Sequence, residues 1–127
     1  MCKRILVVDD TPLNLKLAAA FLKRGGWEVA EAKDATSAMN LLANDREFDA
    51  LLLDISMPGM SGEELCRVVR ADARTAALPI IAYTAHALAE ERDRIMSAGF
   101  DDIVVKPAAM ATLLSALNQA VEKRSGK

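Results

Sequence analysis

Acidic side chains stand at the ends of apolar runs in this sequence. Asp9 and Asp10 follow the run RILVV, and Asp54 follows ALLL. Burying a carboxylate is costly unless a cation meets it, and neighbouring carboxylates repel one another. Oxygen ligands suit Mg²⁺, which commonly acts together with phosphate groups. The three acids therefore predict a Mg²⁺ site, with Mn²⁺ as an alternative ion, if the fold brings them together.

Five apolar runs of strand length alternate with segments of helical spacing. The runs span residues 4–9, 27–32, 49–54, 79–84 and 101–106. The second run mixes charged and apolar residues, as a half-exposed edge strand does. Regular alternation of strands and helices predicts an α/β fold, with a parallel sheet, right-handed crossovers and helices on both faces.

The carboxyl ends of parallel strands lie along one edge of a sheet, where ligands usually bind. Thr84 ends the fourth run and Lys106 ends the fifth, so we expect both beside the acids. Asp54 can act as a nucleophile that forms an aspartyl phosphate. Lys106 can then pair with one phosphoryl oxygen while Thr84 donates a hydrogen bond to another. A nucleotide site is not indicated, because the segment VVDDTPLN has no glycine cradle.

Local signals predict where the helices begin and end. Thr11 is expected to cap a first helix that has Pro12 at its first position and ends at the glycines 25–26. Ser61 and Glu64 have the spacing of a capping box. Further helices are expected from Asp34, near residues 87–98, and from about residue 108 to 121.

An apolar row marks the first helix, where Leu13, Leu17 and Phe21 lie four residues apart. A helix that covers a sheet must bury one face, so part of this row is expected in the core. Leu13 or Asn14 is alternatively exposed for the docking of a partner. The sequence leaves that choice open.

Composition limits the class of protein. The 127 residues are 52% hydrophobic and 4% aromatic, which fits one domain over residues 1–127 with an ordered core of about 3–123. A net charge of -2 argues against nucleic-acid binding. No apolar stretch is long enough to span a bilayer and no signal peptide is evident, so we expect a cytoplasmic protein without membrane contact. Cys2 and Cys66 are expected to be reduced thiols, Cys66 within the core.

Four short motifs together resemble the response-regulator receiver family of two-component signalling. They are VVDD, LLLDISMPG, YTA and VVKP, which follow one another in the order and on the strand ends that the family shows. The resemblance covers nearly the whole chain. It implies a flavodoxin-like, doubly wound sheet of five parallel strands in the order 2-1-3-4-5 with five helices.

The resemblance also implies roles for the residues at the strand ends. Asp54 is similar to the phosphoacceptor of the family. Asp10 and Asp54 match the direct side-chain ligands of Mg²⁺, Asp9 matches a ligand that acts through water, and Ser56 matches the residue whose backbone carbonyl completes the set. Thr84 matches the switch hydroxyl and Lys106 the lysine that pairs with the phosphoryl group.

Several positions near this site carry more specific expectations. The family's cis peptide would fall between Lys106 and Pro107. The resemblance also implies that Ser56 and His86 occupy the two variable positions at which side chains tune the access of water to the phosphoryl group. The chain departs from the family at Ile103, where an aromatic switch residue is usual. Tyr83 precedes Thr84, but neighbouring strand residues point to opposite faces, so Tyr83 cannot simply replace that aromatic.

The implied function is a phosphoacceptor switch, not an enzyme. It would accept a phosphoryl group from a sensor histidine kinase or a histidine phosphotransfer protein and then change its binding to a downstream protein target. No DNA-binding domain is expected. The alternatives are the receiver domain of a hybrid kinase, a constitutive interaction module and, less well supported, an aspartyl-phosphate phosphatase. The phosphatase is disfavoured because its two acids should stand two residues apart, whereas Asp9 and Asp10 are adjacent.

Overall fold

The computed structural model of the protein describes residues 3–44, 48–57, 59–85, 88–106 and 108–125. Within these residues five strands and five helices alternate along the chain. The strands are β1 Arg4–Val8, β2 Glu28–Ala32, β3 Ala50–Asp54, β4 Ile80–Thr84 and β5 Asp102–Val105. The helices are α1 Pro12–Arg24, α2 Ala35–Asn44, α3 Gly62–Ala71, α4 Ala89–Ser97 and α5 Met110–Ser125.

All neighbouring strands are parallel, and their order in the sheet is β2-β1-β3-β4-β5. The predicted fold class and strand order are confirmed, and β2 lies at an edge as its mixed sequence predicts. Because β1, β3 and β4 are consecutive, their carboxyl ends are side by side. This places the predicted site at the centre of one sheet edge.

Two apolar layers cover the two faces of the sheet. On one face Leu51 and Leu53 pack with buried residues of α2, α3 and α4. On the other face Ile5 and Leu52 pack with buried residues of α1 and α5. Every residue of β3 is buried, since this strand is central and has helices on both sides. Cys66 lies in the first layer, as predicted.

The first three helices begin at their predicted capping residues, but the cap bond expected of Thr11 is not formed. Ser61 and Glu64 form the predicted capping box, with reciprocal bonds of 3.2 and 2.9 Å. Asp34 accepts a bond from the amide of Ser37 at 2.8 Å. Thr11 occupies the N-cap position of α1, but its side chain makes no cap hydrogen bond. Its amide instead donates to Asp9 Oδ1 at 2.9 Å.

The apolar row of α1 is divided between the core and solvent, and its last member, Phe21, is half-buried against the apolar layer that contains α1 and α5. Leu13 is 75% exposed and Leu17 is 42% exposed. The buried face of the helix is formed instead by Ala18 and Leu22. The helix therefore turns Leu13 and Leu17 toward solvent, although their spacing is helical.

Two later helices begin about two residues after the predicted positions, and α5 also continues past the predicted end at residue 121 to Ser125. The helix α4 begins at Ala89 and α5 begins at Met110. Gly99, two residues after the end of α4, has a φ of 115°, a conformation that favours glycine. Within the described part of the chain, no helix has the length and apolarity needed to cross a membrane.

An ionic cluster fastens the amino-terminal edge of the sheet, opposite the predicted site. Asp101 accepts bonds from Arg70 Nη2 at 3.1 Å and from Arg124 Nε at 2.8 Å. It also accepts a bond from the amide of Ile80 at 2.8 Å. The cluster therefore ties α3, β4 and α5 together.

Candidate functional site

The strand register brings two acids side by side at the carboxyl edge. Val8 of β1 is paired with Leu53 of β3, so the next residues along the two strands, Asp9 and Asp54, are neighbours. The amide of Asp9 donates to the carbonyl oxygen of Ala32 at 3.1 Å, which extends the pairing with β2. Both acids are thus held by regular backbone of the sheet.

Asp9, Asp10 and Asp54 form one acidic cluster. Each offers a carboxylate oxygen, and the three oxygens lie within 4.8 Å of one another. Asp9 is 1% exposed and Asp54 is 5% exposed, whereas Asp10 is exposed. The cluster is therefore open to solvent on the side of Asp10 and closed on the side of the sheet.

Lys106 carries the positive charge that meets this cluster. Its Nζ donates to Asp9 Oδ2 at 2.9 Å and to Asp54 Oδ1 at 3.2 Å. The backbone amide of Lys106 donates to the carbonyl oxygen of Thr84 at 2.7 Å, which fixes the base of the side chain beside β4. One ammonium group consequently bridges acids at the carboxyl ends of two different strands.

The charges at this edge shift the ionisation of the groups that meet there. Burial, together with the charge of Asp9, raises the pKa of the Asp54 carboxyl to about 6. Burial acts to lower the pKa of the Lys106 ammonium, but its hydrogen bond to Asp9 and the charges of Asp54 and Asp9 outweigh burial and raise that pKa. A single lysine does not fully offset the crowded carboxylates.

The donor set fits a hard divalent cation. Three carboxylate oxygens within 4.8 Å of one another are ligands that Mg²⁺ prefers, and the exposed side of the cluster leaves room for the waters that Mg²⁺ retains. A bound cation would also relieve the repulsion that raises the pKa of Asp54.

The structure locates some of the other predicted site residues. Thr84 is buried at the end of β4. Ser56 is exposed, and its amide lies 3.4 Å from Asp54 Oδ1. The role of its carbonyl as a ligand stays a prediction. His86 and Pro107 lie outside the described residues.

Ile103 occupies the position where the sequence departs from the expected aromatic residue. It is half-buried on β5, pairs with Ala82 of β4, and packs against the layer that contains α4. An aliphatic side chain therefore fills this place between the sheet edge and α4.

Two residues at the site were not singled out for it by the sequence. The ring centroid of Tyr83 lies 5.1 Å from Lys106 Nζ. Gly62 lies so close to the carbonyl oxygen of Asp54 that a Cβ atom there would collide with it. The sequence signal for Gly62 was its place directly after the cap residue Ser61. The signal for Tyr83 was the strand order, because Lys106 must cross the end of β4 to reach Asp54.

The chain matches a family model and several proteins of known name. The family model, described as "Response regulator receiver domain", matches residues 5–118. The sensor protein GacS of Pseudomonas syringae pv. syringae is 38% identical over 107 residues, which is 82% of this chain and 12% of GacS. The sensor histidine kinase RcsC of Escherichia coli K12 is 37% identical over 119 residues, which is 94% of this chain and 12% of RcsC. The chain therefore spans about an eighth of the length of these two relatives.

Solved structures share the fold over almost the full chain. The CheY-like receiver domain protein from Methanospirillum hungatei JF-1 superposes with a TM-score of 0.88 at 28% identity, covering 98% of each chain. The receiver domain of the sensor histidine kinase PA1611 from Pseudomonas aeruginosa PAO1 has a TM-score of 0.87 at 31% identity, covering 95% of this chain and 98% of the other. That crystal structure has a magnesium ion coordinated in its active site cleft.

Proposed function

This chain belongs to the response regulator receiver domain family, and from that premise we propose that it accepts a phosphoryl group on Asp54 from a phosphohistidine. The observation that carries the proposal is the bridge of Lys106 Nζ to Asp9 and Asp54 beside a third carboxylate. A buried nucleophile, a cluster of oxygen ligands and a fixed ammonium are the parts that phosphoryl transfer to a carboxylate requires.

The transfer exchanges one bond to phosphorus for another. A carboxylate oxygen of Asp54 attacks the phosphorus, the bond from phosphorus to the imidazole nitrogen breaks, and its electron pair stays on that nitrogen. Asp54 sits at the end of a central buried strand, so its backbone is held rigidly for the attack. The low exposure of the carboxylate keeps its oxygen from full hydration.

The remaining residues of the site would each stabilise part of the negative charge on the phosphoryl group. Asp9, Asp10 and Asp54, with the carbonyl of Ser56, would hold Mg²⁺, which neutralises charge on the incoming phosphoryl oxygens when bound. Lys106 pairs with a phosphoryl oxygen, as its reach to Asp54 allows. The hydroxyl of Thr84 donates to another oxygen.

Phosphorylation is proposed to act through the binding of other proteins. A target that binds the phosphorylated form more tightly shifts the equilibrium toward that form. The relatives GacS and RcsC are named as a sensor protein and a sensor histidine kinase. The proposed donor is accordingly a sensor histidine kinase or a histidine phosphotransfer protein, and the role is that of a switch without catalytic turnover of its own.

Intact-mass spectrometry with acetyl phosphate tests the assignment of Asp54. The protein should gain the mass of one phosphoryl group in the presence of Mg²⁺ and none after addition of EDTA. The variant Asp54→Ala should gain none. Asp102→Ala removes an exposed carboxylate from β5, outside the acidic cluster, and should be modified like the parent. An equal mass gain in Asp54→Ala would reject the assignment.

A second candidate function is a constitutive binding module that keeps the pocket but does not switch. The observation that favours it is Ile103, an aliphatic residue where the family usually has its aromatic switch residue. Backbone amide NMR spectra with and without beryllofluoride, a phosphoryl mimic, separate the two. A switch predicts shifts that extend from Thr84 into α4, whereas a constitutive module predicts shifts confined to the residues around Asp54.

A further inference from the structure

Lys106 must reach across a strand to meet its partners. It follows β5, whereas Asp54 ends β3 and Asp9 follows β1. The strand β4 lies between β5 and β3. Because Nζ contacts both carboxylates, the lysine side chain crosses the carboxyl end of β4.

Tyr83 is the residue of β4 on whose ring the ammonium rests. The register pairs Tyr83 with Asp54 on one side and with Val104 on the other. Tyr83 is 3% exposed and packs in the layer that contains α1 and α5. Its ring centroid lies 5.1 Å from Lys106 Nζ. The contact therefore joins a buried core side chain to the ammonium end of the lysine.

The chemistry of this contact favours one position of the charge. The face of an aromatic ring attracts a cation within about 6 Å of its centroid, and the attraction is larger where water is excluded. A lysine has a flexible stem that loses much rotamer freedom when it is held in one place. An aliphatic residue at position 83 would fill the core but would not attract the ammonium.

We infer that Tyr83 is a positioning residue, whose ring holds the Lys106 ammonium over the end of β4 and toward Asp54. This inference rests on the proposed function, because it assigns the ring an effect on the transfer of a phosphoryl group to Asp54. Tyr83 is proposed to act through Lys106, and it does not itself contact the phosphoryl donor or the reacting oxygen of Asp54. Tyr83, the neighbour of Thr84, would thus have a role on the opposite face of the sheet from Ile103, the position where the family usually has its aromatic switch residue.

Two substitutions distinguish the effect of the aromatic ring from the effects of the hydroxyl group and of the side-chain volume. Tyr83→Phe keeps the ring, and Tyr83→Leu keeps an apolar side chain without one. The matched control is Leu117→Ala, which removes a buried side chain from the same apolar layer. Urea unfolding of all three variants measures how far each one loses stability.

The first readout is the ring-current shift of the Lys106 ε-methylene protons. These protons should resonate upfield in the parent and in Tyr83→Phe, and should move to the position of an ordinary lysine in Tyr83→Leu. The resonance is assigned by its absence from Lys106→Ala. Leu117→Ala should leave it unchanged. This readout does not depend on phosphorylation.

The second readout is the initial rate of mass gain with acetyl phosphate and Mg²⁺. Tyr83→Leu should lose about fivefold, the change that corresponds to about 1 kcal/mol for a cation over an aromatic ring. Tyr83→Phe and Leu117→Ala should keep the parent rate. The inference is overturned if Tyr83→Leu keeps either the parent shift or the parent rate, if Tyr83→Phe loses as much as Tyr83→Leu, or if Leu117→Ala slows equally.

The two readouts also separate this inference from the function on which it rests. If the parent gains no phosphoryl group while the Lys106 protons still lose their shift in Tyr83→Leu, then the contact exists and the proposed function is wrong. If the parent is modified but the shift is the same in every variant, then the positioning role alone fails.

Discussion

Replacing Asp54 by asparagine should stabilise the metal-free protein at neutral pH. The pKa of the Asp54 carboxyl is raised from 3.8 to about 6, first by burial and then by the charge of Asp9. The folded protein therefore opposes ionisation of this group. An asparagine has nearly the same shape and cannot ionise, so it avoids the cost of burying that charge.

The size and the pH dependence of the effect follow from the shift. Below about pH 4 the carboxyl is protonated in the folded and unfolded chains, and no cost arises. Between about pH 4 and pH 6 the unfolded chain loses this proton while the folded protein keeps it, so stability falls across this range and levels off once the pH exceeds the folded pKa of about 6. The pKa of the carboxyl in the folded protein exceeds its ordinary value by about two units, and each unit corresponds to about 1.4 kcal/mol. The variant Asp54→Asn should therefore be more stable than the parent by up to about 3 kcal/mol at pH 7.5.

Urea unfolding in EDTA at several pH values measures this difference. For a dependence on urea of about 1.5 kcal/mol per molar, the midpoint of Asp54→Asn should exceed that of the parent by up to about 2 M at pH 7.5 and should match it near pH 4. Asp102→Asn changes an exposed carboxylate and should show no such trend. A stability difference that stays constant with pH, or a variant less stable than the parent at pH 7.5, would refute the reasoning. Added Mg²⁺ should then stabilise the parent more than Asp54→Asn.

Three further variants test other parts of the structure by urea unfolding or thiol labelling. Asp101→Ala leaves two arginines of the ionic cluster without their shared acid and should cost about 3 kcal/mol of stability; an unchanged midpoint would contradict the role of the cluster. Burial raises the pKa of the Cys66 thiol to about 11. In the variant Cys2→Ser, Ellman's reagent at pH 8 should therefore label Cys66 only as the protein unfolds. Immediate labelling of the folded protein would show that the thiol is accessible. Gly62→Ala places a methyl group against the carbonyl of Asp54 and should lower the free energy of unfolding by about 1 to 3 kcal/mol. An unchanged stability would show that the start of α3 can shift to accommodate the methyl group.

Much of the site was predictable because its signals are local. An acid or a lysine directly after an apolar run lies at the carboxyl end of a strand, and alternating strands and helices form a parallel sheet whose carboxyl ends share one edge. Asp9, Asp54 and Lys106 could thus be placed at one edge although they are far apart in the sequence. The strand order itself came from the resemblance of the motifs, because strand and helix signals alone do not specify which strands are neighbours.

The sequence by itself determined the alternation of elements, the capping box at Ser61 and the edge at which the charged residues meet, since each depends on residues close together in the chain. Only the tertiary structure decided which face of α1 is buried. The spacing of Leu13 and Leu17 is helical, but the fit of a helix against a sheet depends on the shape of both surfaces, and here Ala18, Ala19 and Leu22 are buried while Leu13 and Leu17 face solvent. The contact of Lys106 with the ring of Tyr83 was likewise decided by packing, because a long side chain takes its direction from whatever lies between its backbone and its partners.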